Sequence, residues 1–332
     1  MHVTLKCQTC FYHNERIRKS VLEKIVERKA ESLTLQNYFD IIDEASRCGI
    51  RYITLHGGEP TIHPYFSEIL ERAVEKGLKA SFISNGYSTH KHIDLIKKAN
   101  IRSLCISIDG TKETQDLIRG RIGLYSKQIS LMNELSKNKI HFSISTYISE
   151  LNFDTILEHY EYIDSLGYNC DINYGLTSFL EREDEERTKK KFDSIGMYSA
   201  KVECGSLQLP QKIINPDINV ILSEISNIKT IHKEKKRKYK LSFPREEAIR
   251  THFTNYSLIG KRCGDYYCRM VVDPYGQVIP CVMHGMLGCV VGDVRDGILE
   301  VWNSIKFREY RVHMNKGLVR GCKRCCSLTD FE

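Results

Sequence analysis

The chain has 332 residues, 41% of them hydrophobic and 27% charged, and 49 Lys and Arg against 42 Asp and Glu give a net charge of +7. Those figures exclude a fibrous or disordered chain, and the length suggests about two domains. No apolar run nears the roughly 18 residues of a membrane span, and MHVTLKCQTC lacks a signal-peptide core, so a cytoplasmic protein with no membrane partner is expected.

From the start to about residue 175, β-rich runs alternate with amphipathic stretches. The pattern predicts strands at Val3–Lys6, Tyr52–His56, Ala80–Ser84, Ser103–Ile108, His141–Ile148 and Cys170–Tyr174. It predicts helices at Leu35–Arg47, Phe66–Lys76, Lys91–Lys98, Ser126–Asn138 and Phe153–Leu166, with Gly77 and Gly167 as C-cap signals after the second and fifth. Six strand–helix repeats mean an α/β domain of parallel strands with helical crossovers, either an open sheet or a barrel.

Residues 176–262 form a second region, dense in charge at LEREDEERTKKK (180–191) and HKEKKRKYK (232–240). A charged helical connection is the expectation. The second run could alternatively be a footing for an acidic or nucleic-acid partner, but no aromatic residues interleave it, so nucleic acid is not expected. Residues 263–332 are the third region, rich in Cys. VVDPYGQVI (271–279) reads as a hairpin, with Pro274 presetting a turn and Gly276 supplying positive φ. Gly292-Asp293 opens a turn before a helix at Ile298–Ser304 that carries the only Trp, Trp302. So short a segment is marginal alone, and a metal centre is a usual remedy.

Thirteen cysteines in a chain of this size read as metal ligands or redox groups where they cluster. Cys48, Cys105, Cys170 and Cys204 stand alone and read as small buried hydrophobes. Cys7 and Cys10 form a CxxC beside the first strand. Cys263, Cys268, Cys281, Cys289, Cys322, Cys325 and Cys326 crowd the tail. Thiolates there suit either an iron–sulfur cluster or a structural zinc ion.

Successive strand ends carry the other chemistry. His56-Gly57-Gly58-Glu59-Pro60 ends the second strand with two glycines and a carboxylate that could meet an amine. Asn85-Gly86 ends the third and Ser107-Ile108-Asp109-Gly110 the fourth, and Arg119 follows, able to take a carboxylate in a bidentate pair. Ligand sites of parallel α/β folds gather at such ends. An amino acid's amine and carboxylate would satisfy both roles.

KCQTCFY, LHGGEP, ISNG, SIDG and LIRG, in that order, resemble a radical S-adenosylmethionine (radical SAM) enzyme over residues 1–175. The tail resembles the SPASM or shorter twitch extension of that superfamily: Cys263, then Gly276, four residues, Cys281, and later Cys322 and Cys325, with Cys268 ahead of the hairpin. The resemblance implies a partial (β/α)6 TIM-like barrel, a connecting region and a small Cys-rich domain. It implies a [4Fe–4S] cluster on front-loop cysteines, Cys7 and Cys10 among them, with one iron left to the amine and carboxylate of SAM. Gly57, Gly58, Glu59 and Pro60 would help hold the amine. Asn85 would share the rim, and Ser107, Asp109 and Arg119 would meet the carboxylate or ribose. Reductive cleavage of SAM would give a 5′-deoxyadenosyl radical that abstracts hydrogen from substrate. One auxiliary [4Fe–4S] cluster is implied, drawing on Cys263, Cys268, Cys281, Cys322 and Cys325. Of these Cys268, Cys281, Cys322 and Cys325 are the favoured four and Cys263 the competitor, with Cys289 and Cys326 spare.

One departure matters. The family pattern is CxxxCxxC, and the position four before Cys7 is Val3. Either the front of the chain is altered, or the site is degenerate and inactive, or His2 or His13 substitutes. The resemblance leaves the substrate between a peptide, as in peptide-modifying maturases, and a small molecule such as a sugar or alcohol. It implies an electron donor such as flavodoxin or ferredoxin. No leader-recognition segment precedes the cluster loop, so a separate leader-peptide recognition protein is the expected partner if the substrate is a peptide.

Overall fold

A computed structural model describes residues 5–10, 23, 27–99, 101–203, 206–209, 215–254, 256–325 and 327–330. Val3, His2, His13, Cys204 and Cys326 lie outside the described residues. The chain divides into two compact units.

The first unit comprises Met1–Thr9, Arg51–Thr177 and Pro210–Thr254. Its centre is an open six-stranded parallel sheet in chain order: β1 (Tyr52–Leu55), β2 (Lys79–Ser84), β3 (Ser103–Ser107), β4 (Phe142–Ile148), β5 (Asp171–Leu176) and β6 (Leu241–Ser242). This is the α/β arrangement that the alternation predicts. The count of six is met differently, however. Leu5 and Lys6 lie outside any strand, so the expected Val3–Lys6 strand has no counterpart among the described residues. The sixth strand comes instead from just after the 232–240 basic run. Two residues are too short to show a period, and β6 is held by its bond to β5, where Ile172 N–H donates to Lys240 O at 2.9 Å.

One face of the sheet is closed. Phe82, Leu104, Ile106, Ile144 and Ile172 alternate onto it and are all at most 1% exposed. The helices of this unit are α2 (Phe66–Glu75), α3 (Ile93–Ala99), α4 (Lys112–Arg119), α5 (Leu124–Lys137), α6 (Ile156–Ser165), α8 (Ile218–Glu234) and α9 (Glu246–His252). The expected helices sit within a few residues of α2, α3, α5 and α6.

The 232–240 run is not a free basic patch. Asp164, at the end of α6, is buried, and three residues of the run reach it. Lys235 Nζ lies 2.8 Å from its Oδ2, Arg237 Nε lies 2.7 Å from Oδ1, and Tyr239 donates its hydroxyl to Oδ1 at 2.9 Å. Burial alone would push this carboxyl up. The hydrogen bonds from Arg237, Lys235 and Tyr239 outweigh it and hold the group below the ordinary carboxylate range. A carboxyl depressed in the folded state contributes stability above its unfolded value, about 3.9, and loses it as pH falls through the folded value. Asp164→Asn should therefore cost on the order of 2 kcal/mol at pH 7, since both cations are partly solvated. Thermal melts of the two proteins should converge as the pH drops below about 4.

The second unit comprises Cys10–Ile50, Ser178–Leu209 and Asn255–Glu332. The expected connecting region 176–262 is thus shared between the units. Here lie α1 (Leu35–Arg47), α7 (Arg182–Ser194), β7 (Lys261–Cys263), α10 (Asp265–Cys268), β8 (Val271–Val272), β9 (Gln277–Ile279), α11 (Val282–Met286), β10 (Gly292–Asp293), α12 (Ile298–Asn303), α13 (Ile305–Lys316) and β11 (Leu328–Asp330). The predicted hairpin is β8–β9, and Gly276 turns it at φ 87°. Gly292-Asp293 does more than turn: as β10 it adds a third strand to the hairpin. The charged α7 is only partly a solvated face. Its Asp184 and Glu185 are buried, Asp184 receiving Arg320 at 3.0 Å and Glu185 receiving Lys189 at 2.8 Å.

Among the described residues no helix is long and apolar enough to cross a membrane.

Candidate functional site

In the first unit the chemistry of the motif set gathers at the C-terminal ends of β1 to β3, but several of its charges face one another. Gly57 is exposed at φ 141°, a conformation that a Cβ would strain. Glu59 is 3% exposed, not a rim carboxylate. Its Oε1 accepts from Thr61 N–H at 3.1 Å, Thr61 Oγ1 at 2.6 Å and Ser84 Oγ at 2.9 Å, and its Oε2 accepts from Asn85 N–H at 2.7 Å. It thereby ties the end of β1 to the end of β2. Pro60 starts the short 3-10 turn that brings Thr61 within reach.

Glu59→Ala would strand four donors in a buried place. It should cost several kcal/mol of stability, at about 1–3 kcal/mol for each unsatisfied group. The check is a denaturant melt of Glu59→Ala beside Glu59→Gln, which keeps an acceptor and should fall between alanine and wild type.

Asp109 and Arg119, both expected to face SAM, pair with each other, Nη2 to Oδ2 at 2.6 Å. Asp109 is 1% exposed and also accepts from Tyr147 N–H at 2.9 Å. The Arg119 guanidinium hydrogen-bonds Cys7 as well, and its buried Nε has no partner among the described residues. Burial pushes the Cys7 thiol up, against the pull of the Arg119 charge. The Cys7 loop lies against α4: Gln8 N–H donates to Ile118 O at 2.7 Å. At Gly120, φ 63°, a Cβ would come within 2.4 Å of Lys6 O, so the LIRG glycine is what lets this loop sit there. Cys10 is partly buried.

Gln115 and Gln128 are not singled out by the sequence, yet they hold this rim. Both are fully buried. Gln115 Nε2 donates to Gln128 Oε1 at 2.9 Å, and Gln128 Nε2 donates to Asn85 O at 2.7 Å and Ser107 O at 3.0 Å. A polar residue on the inner stripe of an amphipathic helix was the available signal.

In the second unit Cys263, Cys281, Cys322 and Cys325 line one cavity with His284 and Tyr310. Cys281 caps α11 and accepts from His284 N–H at 3.4 Å. Burial pushes its thiol up to about 12 and pushes Cys322 up as well. Burial also pulls His284 down to about 4, so its imidazole is neutral. Cys268 is exposed, its thiol donating to Gly264 O at 3.5 Å, and Cys289 is fully buried in the packed interior. Cys263 therefore shares the cavity with Cys281, Cys322 and Cys325, where the sequence favours Cys268.

No three His, Cys, Asp or Glu side chains among the described residues converge on a single ion position. Four thiols spread round a cavity suit a multi-iron cluster better than one zinc ion.

Residues 4–163 match the radical SAM superfamily. Residues 263–326 match an iron–sulfur cluster-binding domain, SPASM. The chain belongs to the radical SAM superfamily. Its cofactors are S-adenosylmethionine and [4Fe–4S] clusters, and it is an enzyme.

An AdoMet-dependent heme synthase of Methanosarcina barkeri is 26% identical over 85% of this chain and 77% of its own length. Sporulation killing factor maturation protein SkfB of Bacillus subtilis is 27% identical over 41% of this chain, which spans 34% of that relative. Streptococcus suis SuiB bound to precursor peptide SuiA shares the fold at a TM-score of 0.65 and 13% identity, over 94% of this chain and 64% of that one.

Proposed function

We propose that this radical SAM enzyme modifies a peptide. A reduced front cluster with SAM, when bound, would supply the radical chemistry that takes hydrogen from substrate. The chain's part is to hold, orient and shield. Cys7 and Cys10 contribute thiolates to the front cluster. The exposed Gly57 and half-buried Gly58 backbone would meet the SAM amine, while Glu59, already fully hydrogen-bonded, keeps that backbone in place. Asn85 and Ser107 border the same pocket, and the Asp109–Arg119 pair steadies the Cys7 loop. Cys263, Cys281, Cys322 and Cys325 hold the auxiliary cluster.

The observation that carries the peptide reading is the open face of the sheet. Cys105 pairs in register with Ser143, and Ser107 with Ser145, which pairs with Asn173. Tyr147 lies over Gly175, where a Cβ would come within 3.1 Å of its ring. This part of the face is rich in hydroxyls, with one carboxylate, Asp171, in register with Ser143, a lining that suits the amides of an extended chain. A heme precursor, with several carboxylates, would call for cations there, and those strand positions carry none. SkfB, by name, is a maturation protein, and SuiB was solved with a precursor peptide, which supports the reading. Its partner is then an electron donor such as flavodoxin or ferredoxin.

The test offers the reduced enzyme and SAM, both as it stands and as Val3→Cys, two substrates, precursor peptides encoded beside its gene and a heme precursor, with mass spectrometry of both. A changed peptide mass is the expected result. A converted heme precursor beside an untouched peptide would overturn the reading.

A further inference from the structure

We propose that Tyr310 and His284 form a buried relay that places an N–H on the Cys322 sulfur and so raises the reduction potential of the auxiliary cluster. His284 Nε2 lies 3.3 Å from Cys322 Sγ, and His284 Nδ1 lies 2.7 Å from the Tyr310 hydroxyl. All three residues are buried, His284 and Tyr310 at 1% exposed and Cys322 at 7%. The His284 ring is fixed on a third side by Phe192, edge on at 4.9 Å. Its own N–H caps onto Cys281, so one residue touches two of the proposed ligands.

The hydrogens follow from the ligation. A thiolate bound to iron can only accept, so Nε2, 3.3 Å from the sulfur, must carry the hydrogen. The Tyr310 hydroxyl, 2.7 Å from Nδ1, holds the ring with Nε2 turned to the sulfur. Tyr310 acts through His284, and both are positioning residues. A donor on a ligand sulfur draws electron density from the cluster and favours its reduced form, as such bonds do in other iron–sulfur sites. The inference rests on the auxiliary cluster of the proposed function.

The experiment is a redox titration followed by electron paramagnetic resonance on the reconstituted full chain, with iron counted first. His284→Leu and Tyr310→Phe should keep the iron of the wild type and shift the auxiliary midpoint to lower potential, the leucine variant further. His284→Gln, which can still offer an N–H, should return most of the shift. Equal midpoints in wild type and His284→Leu, with iron retained in both, would overturn the relay. Loss of the auxiliary irons in His284→Leu alone, with Tyr310→Phe at the wild-type midpoint, would also overturn it and make His284 a ligand. A wild-type chain whose iron is unchanged by Cys281→Ala would instead sink the auxiliary cluster itself.

Discussion

Cys281→Ala is expected to remove about four irons from a total of up to about eight, the content of two [4Fe–4S] clusters. No spare thiol stands by to replace Cys281: it caps α11, and the cavity it lines with Cys263, Cys322 and Cys325 has no fifth thiol among the described residues. The sequence alone suggests that the whole of 263–332 would unravel with the cluster, because that segment has little core. The structure narrows this. The tail folds with α1 and α7. Ile298 N–H donates to Glu44 at 2.7 Å, Leu33 N–H donates to Pro274 O at 2.9 Å, and Asp184 holds Arg320 and Lys323. Those contacts do not need metal. Proteolysis of Cys281→Ala should begin at 325–330, beyond the residues that Asp184 and Glu181 hold, and spare the hairpin and α13. Cys268→Ala, at an exposed thiol, should lose little iron. Equal iron loss in the two variants would return Cys268 to the ligand set in place of Cys263. A Cys281→Ala protein with full iron would remove the cavity from the reading.

The parts legible in the sequence were those set by period and by turn chemistry. Leu35–Arg47 was readable to the residue because its amphipathic stripe begins after Thr34, which caps the helix with Asn37. The strands β2 to β5 were readable because each alternates buried and open positions. β6 was not, because two residues carry no period and its place depends on Asp171 accepting from Lys240 N–H, a contact 69 residues apart in sequence. Charge misled for the same reason. Asp164, Asp184 and Glu185 look like solvent-facing residues until the partners that bury them are known, and those partners are long-range. At the site, the motif residues were found by type, but their direction was not. Glu59 faces Ser84 and Asn85, and Arg119 faces Asp109, because a buried charge must find its counterpart inside the fold. Gln115 and Gln128 carried no motif, only a polar residue on an inner helix stripe, and His284 is revealed by packing alone.

Val3→Cys is expected to turn a poorly loaded front site into a loaded one. Three thiolates leave a [4Fe–4S] cluster one open iron for SAM, and this chain supplies two in the CxxxCxxC frame, Cys7 and Cys10, with Val3 where the first would stand. A valine side chain has no lone pair for iron. Two under-ligated irons should make the front cluster labile, so the chain as it stands should retain chiefly the auxiliary irons. Val3→Cys should bring iron toward about eight per chain. It should raise the rate of reductive SAM cleavage to 5′-deoxyadenosine by about tenfold or more, equivalent to at least roughly 1.4 kcal/mol in the barrier. Cys7→Ser placed on top of Val3→Cys should abolish the gain, which ties it to this loop. Two results would count against the argument, and they differ in meaning. If the unaltered chain cleaves SAM as fast as Val3→Cys and loses that activity on His2→Ala or His13→Ala, an imidazole is the third ligand, as iron–sulfur sites allow. If it cleaves SAM as fast and neither histidine matters, the ligand count itself is mistaken. A Val3→Cys chain that gains iron but still leaves SAM intact would point past the ligands to the proposed SAM pocket, whose backbone the Glu59–Asn85 contact and the Asp109–Arg119 pair would set.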